Sequence, residues 1–182
     1  MRGAAEWAGL ALLPGWAAFA LSLPWTGPAY ASLFGGLAVV LVLVLRHSLP
    51  VAGAMALLSP VGAMLPALAL RDVAAGWGLP VMPFATVEIL AFLAAHTAFL
   101  ASAMGLWPVD LYRLGYAPRP VAAMVLAVCA YGLVSGSLFL PLVAVAGQAL
   151  WLARLGSSNW FDHVLHAALV PVALVVLVLR LV

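Results

Sequence analysis

Five ionisable residues stand inside or beside long apolar runs of this chain: Glu88, His96, Asp162, His163 and His166. A charged group at the centre of a membrane helix costs about 2.5–3.5 kcal/mol on insertion scales, so each is a functional candidate by default. Asp162 and His166 are four residues apart, and His163 and His166 three, which on one helix places all three near one face. Two imidazoles and a carboxylate form a donor set for a divalent metal such as zinc, iron or copper, with Glu88 completing the shell or acting as base. Glu88 and His166 are thus the catalytic candidates, and Asp162, His163 and His166 the metal candidates. In the plainer alternative Asp162 caps a helix N-terminus and both histidines sit in a wet interface. His96, two turns beyond Glu88, is a candidate for cofactor binding, for a hydrogen bond between helices, or for packing.

The elements that must position these groups follow from composition. Of 182 residues, 68% are apolar, seven are basic and five acidic, where a soluble domain spends about a quarter on charge. Mean hydropathy is +1.24. Six apolar runs emerge: Trp7–Leu23, Ala29–Leu45, Pro50–Leu70, Val81–Trp107, Pro120–Leu140 and Phe161–Val182. Each approximates the 20 or so residues that span a bilayer. The expected fold is all-α, a polytopic membrane helix bundle of about six transmembrane helices in a single domain over 1–182. Its first partner is the lipid bilayer, with other membrane subunits or a homo-oligomer as further ones. The arginines are scattered singly, so the net charge of +2 is no nucleic-acid signal. Cys129, the single cysteine, excludes an intrachain disulfide and a multi-cysteine metal site.

Arginine placement sets the orientation. With six spans, Arg2, Arg46, Arg113, Arg119 and Arg180 share one side, and Arg71 and Arg154 the other. The positive-inside rule then places both termini in the cytoplasm. Arginine without lysine fits a GC-rich genome, and a bacterial inner membrane is the expected location. The stretch from Pro141 to Ala153 is ambiguous: the tail of a long fifth helix, a re-entrant segment, or a seventh span. Five tryptophans, Trp7, Trp25, Trp77, Trp107 and Trp160, fall near span ends, as interfacial anchors do; Trp16 has no such explanation. Pro60, Pro66 and Pro171 invite kinks or breaks. Gly132 to Gly136 is a GxxxG that suits close packing within the bundle. At 1.5 Å per residue, Glu88 lies roughly 10 Å into its span and His166 roughly 8 Å into its own, so the two meet if those helices pack side by side. His96, at roughly 22 Å, does not match His166 for a bis-histidine haem.

Two fragments resemble the CAAX-type (Abi) intramembrane proteases. Phe92-Leu93-Ala94-Ala95-His96 is similar to that family's Phe-x-x-x-His, and Gly156-Ser157 with Trp160 and His166 to its later Gly-Ser, Trp and His segment. The family's paired glutamates followed by Arg have no counterpart, Glu88 stands alone, and no Asn follows four residues after His166. The chain is not assigned to that family. Three classes of function remain: a small-molecule transporter component or subunit of a membrane complex; a metal- or carboxylate-dependent membrane enzyme working near the non-cytoplasmic face; and a redox subunit holding haem, quinone or pigment.

Overall fold

The computed structural model describes residues 4–59 and 61–181. Arg2, Pro60 and Val182, on which part of the expected sidedness, kinking and last span rests, lie outside the described residues. The fold is helical, 75% helix, with no strand among the described residues. Its elements in order are α1 Ala4–Val44, α2 Leu49–Leu57, α3 Met64–Gly76, α4 Thr86–Ala103, a 3₁₀ turn at Leu111–Tyr116, α5 Pro118–Ser135, α6 Phe139–Leu152, α7 Phe161–Val164 and α8 Leu169–Leu179. Four stretches are long and apolar enough to cross a membrane: Trp7–Val44, Thr86–Ala103, Pro118–Ser135 and Phe161–Leu179. Large apolar side chains such as Leu21, Leu37, Leu126 and Val175 point outward, which suits lipid rather than water.

α1 is two antiparallel helices. Gly27 interrupts it with φ 74° and ψ 170°, a backbone shape that a Cβ would oppose, and Pro28 then opens the second half. Beyond this turn the halves touch: a Cβ on Gly35 would lie 2.9 Å from the Gly15 carbonyl oxygen. α3 packs along this hairpin. Trp16, unexplained by span-end logic, donates its indole N–H to Asp72 Oδ2 on α3 at 2.8 Å.

Pro66 and Pro171 do not kink their helices. Each is the third residue of its own, α3 and α8, within the first turn where a missing N–H costs little. The expected third span is instead divided into α2 and α3, and the expected sixth into α7 and α8.

α6 is a separate helix. Gly136, with φ 71°, ends α5, and α6 folds back against it. Gly132 is packed under the Pro141 ring and the Ser137 carbonyl, so the GxxxG shapes a tight turn between neighbouring helices. Because α6 returns the chain, the loop at 157–160 meets the 3₁₀ turn: Trp160 N–H donates to the Gly115 carbonyl at 3.0 Å. At the other end, the Arg180 guanidinium donates to Thr86 Oγ1 at 2.9 Å and to the Phe84 carbonyl at 2.7 Å. The expected grouping of the arginines therefore differs from the fold. Arg154 belongs to the end that carries Arg113 and Arg119, while Arg180 lies at the opposite end. Trp160, expected at an interface, is buried in the core with Val121, Val125, Val143, Ala144 and Val164.

Candidate functional site

Glu88 is shallower than its spacing from Val81 implies. Pro80 and Pro83 hold the chain out of helix until Thr86, so Glu88 is the third residue of α4. There its Oε2 accepts the Ala85 N–H at 2.5 Å, as an acidic residue does for an otherwise orphaned helix-start donor. Its Oε1 accepts the Tyr131 hydroxyl.

α4 and α8 pack together and run antiparallel, since Arg180 closes α8 against the start of α4. Glu88 therefore faces the wrong end of α8 for His166, and no hydrogen bond joins the two among the described residues. Expecting both helices to begin on one side follows from counting six passes; α6, a separate helix folded back on α5, reverses the direction of the last.

The single face for Asp162, His163 and His166 is lost for a second reason. α7 is one turn long and the backbone at Leu165 is extended, so His166 leaves the helix that carries the other two. Asp162 Oδ2 accepts the Ser157 hydroxyl at 2.5 Å and the Tyr112 hydroxyl at 2.9 Å. It does not cap α7. His163 directs Nε2 to the Ser157 carbonyl at 3.0 Å; a carbonyl only accepts, so that nitrogen carries the proton. Among the described residues no three of His, Cys, Asp and Glu gather as a metal donor set.

His166 has a definite role. Its Nδ1 accepts the Ala168 N–H at 3.1 Å, and its Nε2 faces the Leu58 carbonyl at 3.2 Å. Acceptance at Nδ1 assigns the proton to Nε2, so the neutral ring donates to Leu58. One imidazole thus satisfies a donor freed by the α7–α8 break and an acceptor at the end of α2. Nearby, Ala63 N–H donates to the His163 carbonyl at 2.6 Å. Gly62 lies directly on the backbone of Asp162 and His163, where no Cβ fits. Two interrupted helices therefore meet at their interruptions and exchange hydrogen bonds.

His96 is 3% exposed, and its Nδ1 is buried with no hydrogen-bond partner. It forms part of the wall of a partly open apolar cavity of about 250 Å³, together with Phe92, Phe99, Met124, Phe161 and Leu165. The Phe92 ring lies 5.4 Å from the imidazole, centroid to centroid, and Phe99 lies 4.8 Å from Phe161.

Comparison with known proteins finds no matching family model, no matching curated protein and no matching solved structure. The chain's own geometry therefore carries the functional reading. Its long apolar helices fit a membrane protein.

Several residues that matter here carry no motif in the sequence. Asn159, fully buried, donates through Nδ2 to the Tyr112 carbonyl at 2.8 Å and accepts the Phe161 N–H at Oδ1 at 2.9 Å. Asn159 thereby satisfies the first N–H of α7 from one residue before its cap, Trp160. Its signal was its rarity: it is the chain's single asparagine, within Gly156-Ser157-Ser158-Asn159. Tyr112 sits in the 3₁₀ turn, outside the candidate spans. Burial, then hydrogen bonds with Tyr116 and Asp162, push its phenol well above the ordinary tyrosine value.

Proposed function

We propose that this chain is an integral membrane carrier of a small molecule, or the membrane subunit of one, whose working element is the facing pair of helix breaks. The supporting observation is the meeting of Leu58 and Ala63 with His166 and the backbone of His163. Non-helical backbone at membrane depth persists only where protein buries it or where it lines a cavity. Discontinuous helices are also how many secondary transporters expose backbone groups to their cargo. The bonds that His166 makes are few and replaceable, so α2 and α8 can tilt about the junction by exchanging them.

The test is solute flux in proteoliposomes over a panel of small neutral and charged compounds. At least one compound should cross saturably, and His166→Ala should slow that flux by about tenfold, the effect of roughly 1.4 kcal/mol, while the protein stays folded. No saturable flux, or a His166→Ala variant as fast as the parent, overturns the reading.

The orientation is part of the proposal. Arg46, Arg113, Arg119 and Arg154 mark the cytoplasmic end by the positive-inside rule, and residue 180 lies across an inner-type membrane from them. In a Cys129→Ala background, Arg119→Cys and Ser158→Cys should resist an impermeant maleimide on intact cells, and Leu181→Cys should react. Labelling that separates Arg119→Cys from Ser158→Cys would restore a six-span topology.

A further inference from the structure

We propose that the face formed by the 3₁₀ turn and the loop before α7 holds the headgroups of anionic lipids, through Arg113, Arg119 and Arg154. This rests on the chain lying in a bilayer, not on the carrier reading above.

The two ends of the molecule use their arginines differently. At the Thr86 end the chain itself takes the guanidiniums. Arg71 donates to the Met82 carbonyl and lies over the Phe84 ring, 4.4 Å from its centroid. Arg180 donates to Thr86 and to the Phe84 carbonyl. At the other end Arg113, Arg119 and Arg154 are exposed and, among the described residues, make no hydrogen bond or ion pair within the protein. The acids of that end are fewer and are turned to other work. Asp110 Oδ1 accepts the Tyr112 N–H at 3.0 Å, and Asp162 Oδ2 holds the Ser157 and Tyr112 hydroxyls.

Arg154 adds a conformational argument. Its φ of 55° is the one positive value among the described non-glycine residues. It closes α6 there: the Leu155 N–H donates to the Leu150 carbonyl at 3.0 Å and the Arg154 N–H to the Trp151 carbonyl at 3.1 Å. That position after a helix usually takes glycine, because a Cβ opposes the left-handed backbone. The chain keeps an arginine in this strained place although its side chain bonds nothing in the protein.

The class of partner follows from what surrounds the three guanidiniums. Trp107, Leu114, Tyr116, Leu152 and Leu155 are exposed at the same end, an apolar rim that a bilayer covers. An arginine beside such a rim stands at headgroup level, and its planar fork of donors matches two phosphate oxygens at once. An anionic lipid suits it better than a zwitterionic one, whose own cation already neutralises the phosphate. The two stretches are also fastened together, Trp160 to Gly115 and Asn159 to Tyr112, so little ordering remains for the lipid to impose. A soluble acidic protein would have to displace lipid from the rim, where a headgroup already lies.

The experiment places the whole protein in nanodiscs of phosphatidylglycerol and phosphatidylcholine, in equal amounts and with identical acyl chains. Native mass spectrometry then counts the lipids that stay bound when the protein is released. An arginine near an anionic surface contributes roughly fivefold, the effect of about 1 kcal/mol, so phosphatidylglycerol should be retained by at least that factor. Arg113→Gln, Arg119→Gln and Arg154→Gln together should abolish the preference. Arg180→Gln, at the end where the guanidinium is already engaged, should keep it. Arg154→Gly separates binding from folding. Its thermal midpoint in detergent should rise by a few degrees as the left-handed strain is relieved, while the preference falls. Equal retention of the two lipids overturns the inference. So does a preference that survives in the triple variant, or one that Arg180→Gln lowers as much. A lowered midpoint in Arg154→Gly would give that arginine to the helix end and overturn its part. Capture of polyglutamate without any lipid preference would make the face a protein-docking surface instead. Solute flux is not read here, so the carrier proposal and this surface can fail separately.

Discussion

The first hairpin and the junction around α7 are both tight contacts between helices in one apolar molecule, yet they are made by opposite means. In the hairpin, Gly15 and Gly35 bring two continuous helices together backbone to backbone. Association there comes from close packing, as it must where lipid offers no hydrophobic drive. At the junction the helices are interrupted. Freed donors and acceptors find each other across the chain: Ala63 with His163, His166 with Leu58 and Ala168, and Asn159 with Tyr112 and Phe161. The hairpin is a scaffold whose only requirement is shape. The junction depends on a set of specific bonds.

Glycine substitutions break this comparison most directly. Gly62→Ala forces a methyl into the backbone of Asp162 and His163, which cannot move aside. It should cost about 3 kcal/mol or more, the upper end for overpacking, and dismantle the junction. Gly35→Ala meets the Gly15 carbonyl oxygen at 2.9 Å and the Phe19 Cβ at 3.4 Å, and the two helices can slide apart slightly. A loss of about 1–2 kcal/mol is expected. Gly36→Ala, with nothing within 4 Å of its added carbon, should be neutral or stabilise by up to about 1 kcal/mol through helix propensity. Reversible unfolding in mixed detergent micelles measures all three. A Gly62→Ala variant as stable as Gly36→Ala would show that the junction does not hold the fold.

The smallest effect is one of pH, and it sharpens the contrast because the hairpin has no counterpart. Tyr112 holds its proton more tightly folded than unfolded. The stability it contributes is complete below the ordinary tyrosine value of about 10 and declines as pH rises from there toward its folded-state value. Between pH 7 and 9.5 no change is expected. Above about pH 10 the unfolding midpoint should fall, and in Tyr112→Phe that alkaline fall should be smaller. An identical fall in the variant would assign it to another group.

Much of the hydrophobic outline was readable. The turn residues Pro24 to Pro28 announced the first hairpin, and Gly132 to Gly136 announced a close approach. The site was read less well. Asp162, His163 and His166 were spaced for one helix face, and nothing local shows that the helix stops at Val164. Glu88 looked deep because Val81 continues an apolar run, although Pro80 and Pro83 were reason enough to begin the helix later. Asn159 and Tyr112 gave no pattern, since partners of each lie far along the chain: Asn159 and Tyr112 are 47 residues apart, and Tyr112 and Asp162 are 50 apart.

By itself, then, the order of residues determined the solvent, the helical class and most of the turning points, because hydropathy, proline and glycine act within a few residues of themselves. Only the tertiary structure decided that α6 is a helix of its own, that α4 and α8 run in opposite directions, and hence that Glu88 and His166 stand apart. Direction and register between helices depend on every preceding turn together, and one additional pass reverses them all. For the same reason the junction of the two broken helices belongs to neither segment alone: each break leaves polar backbone that the other satisfies.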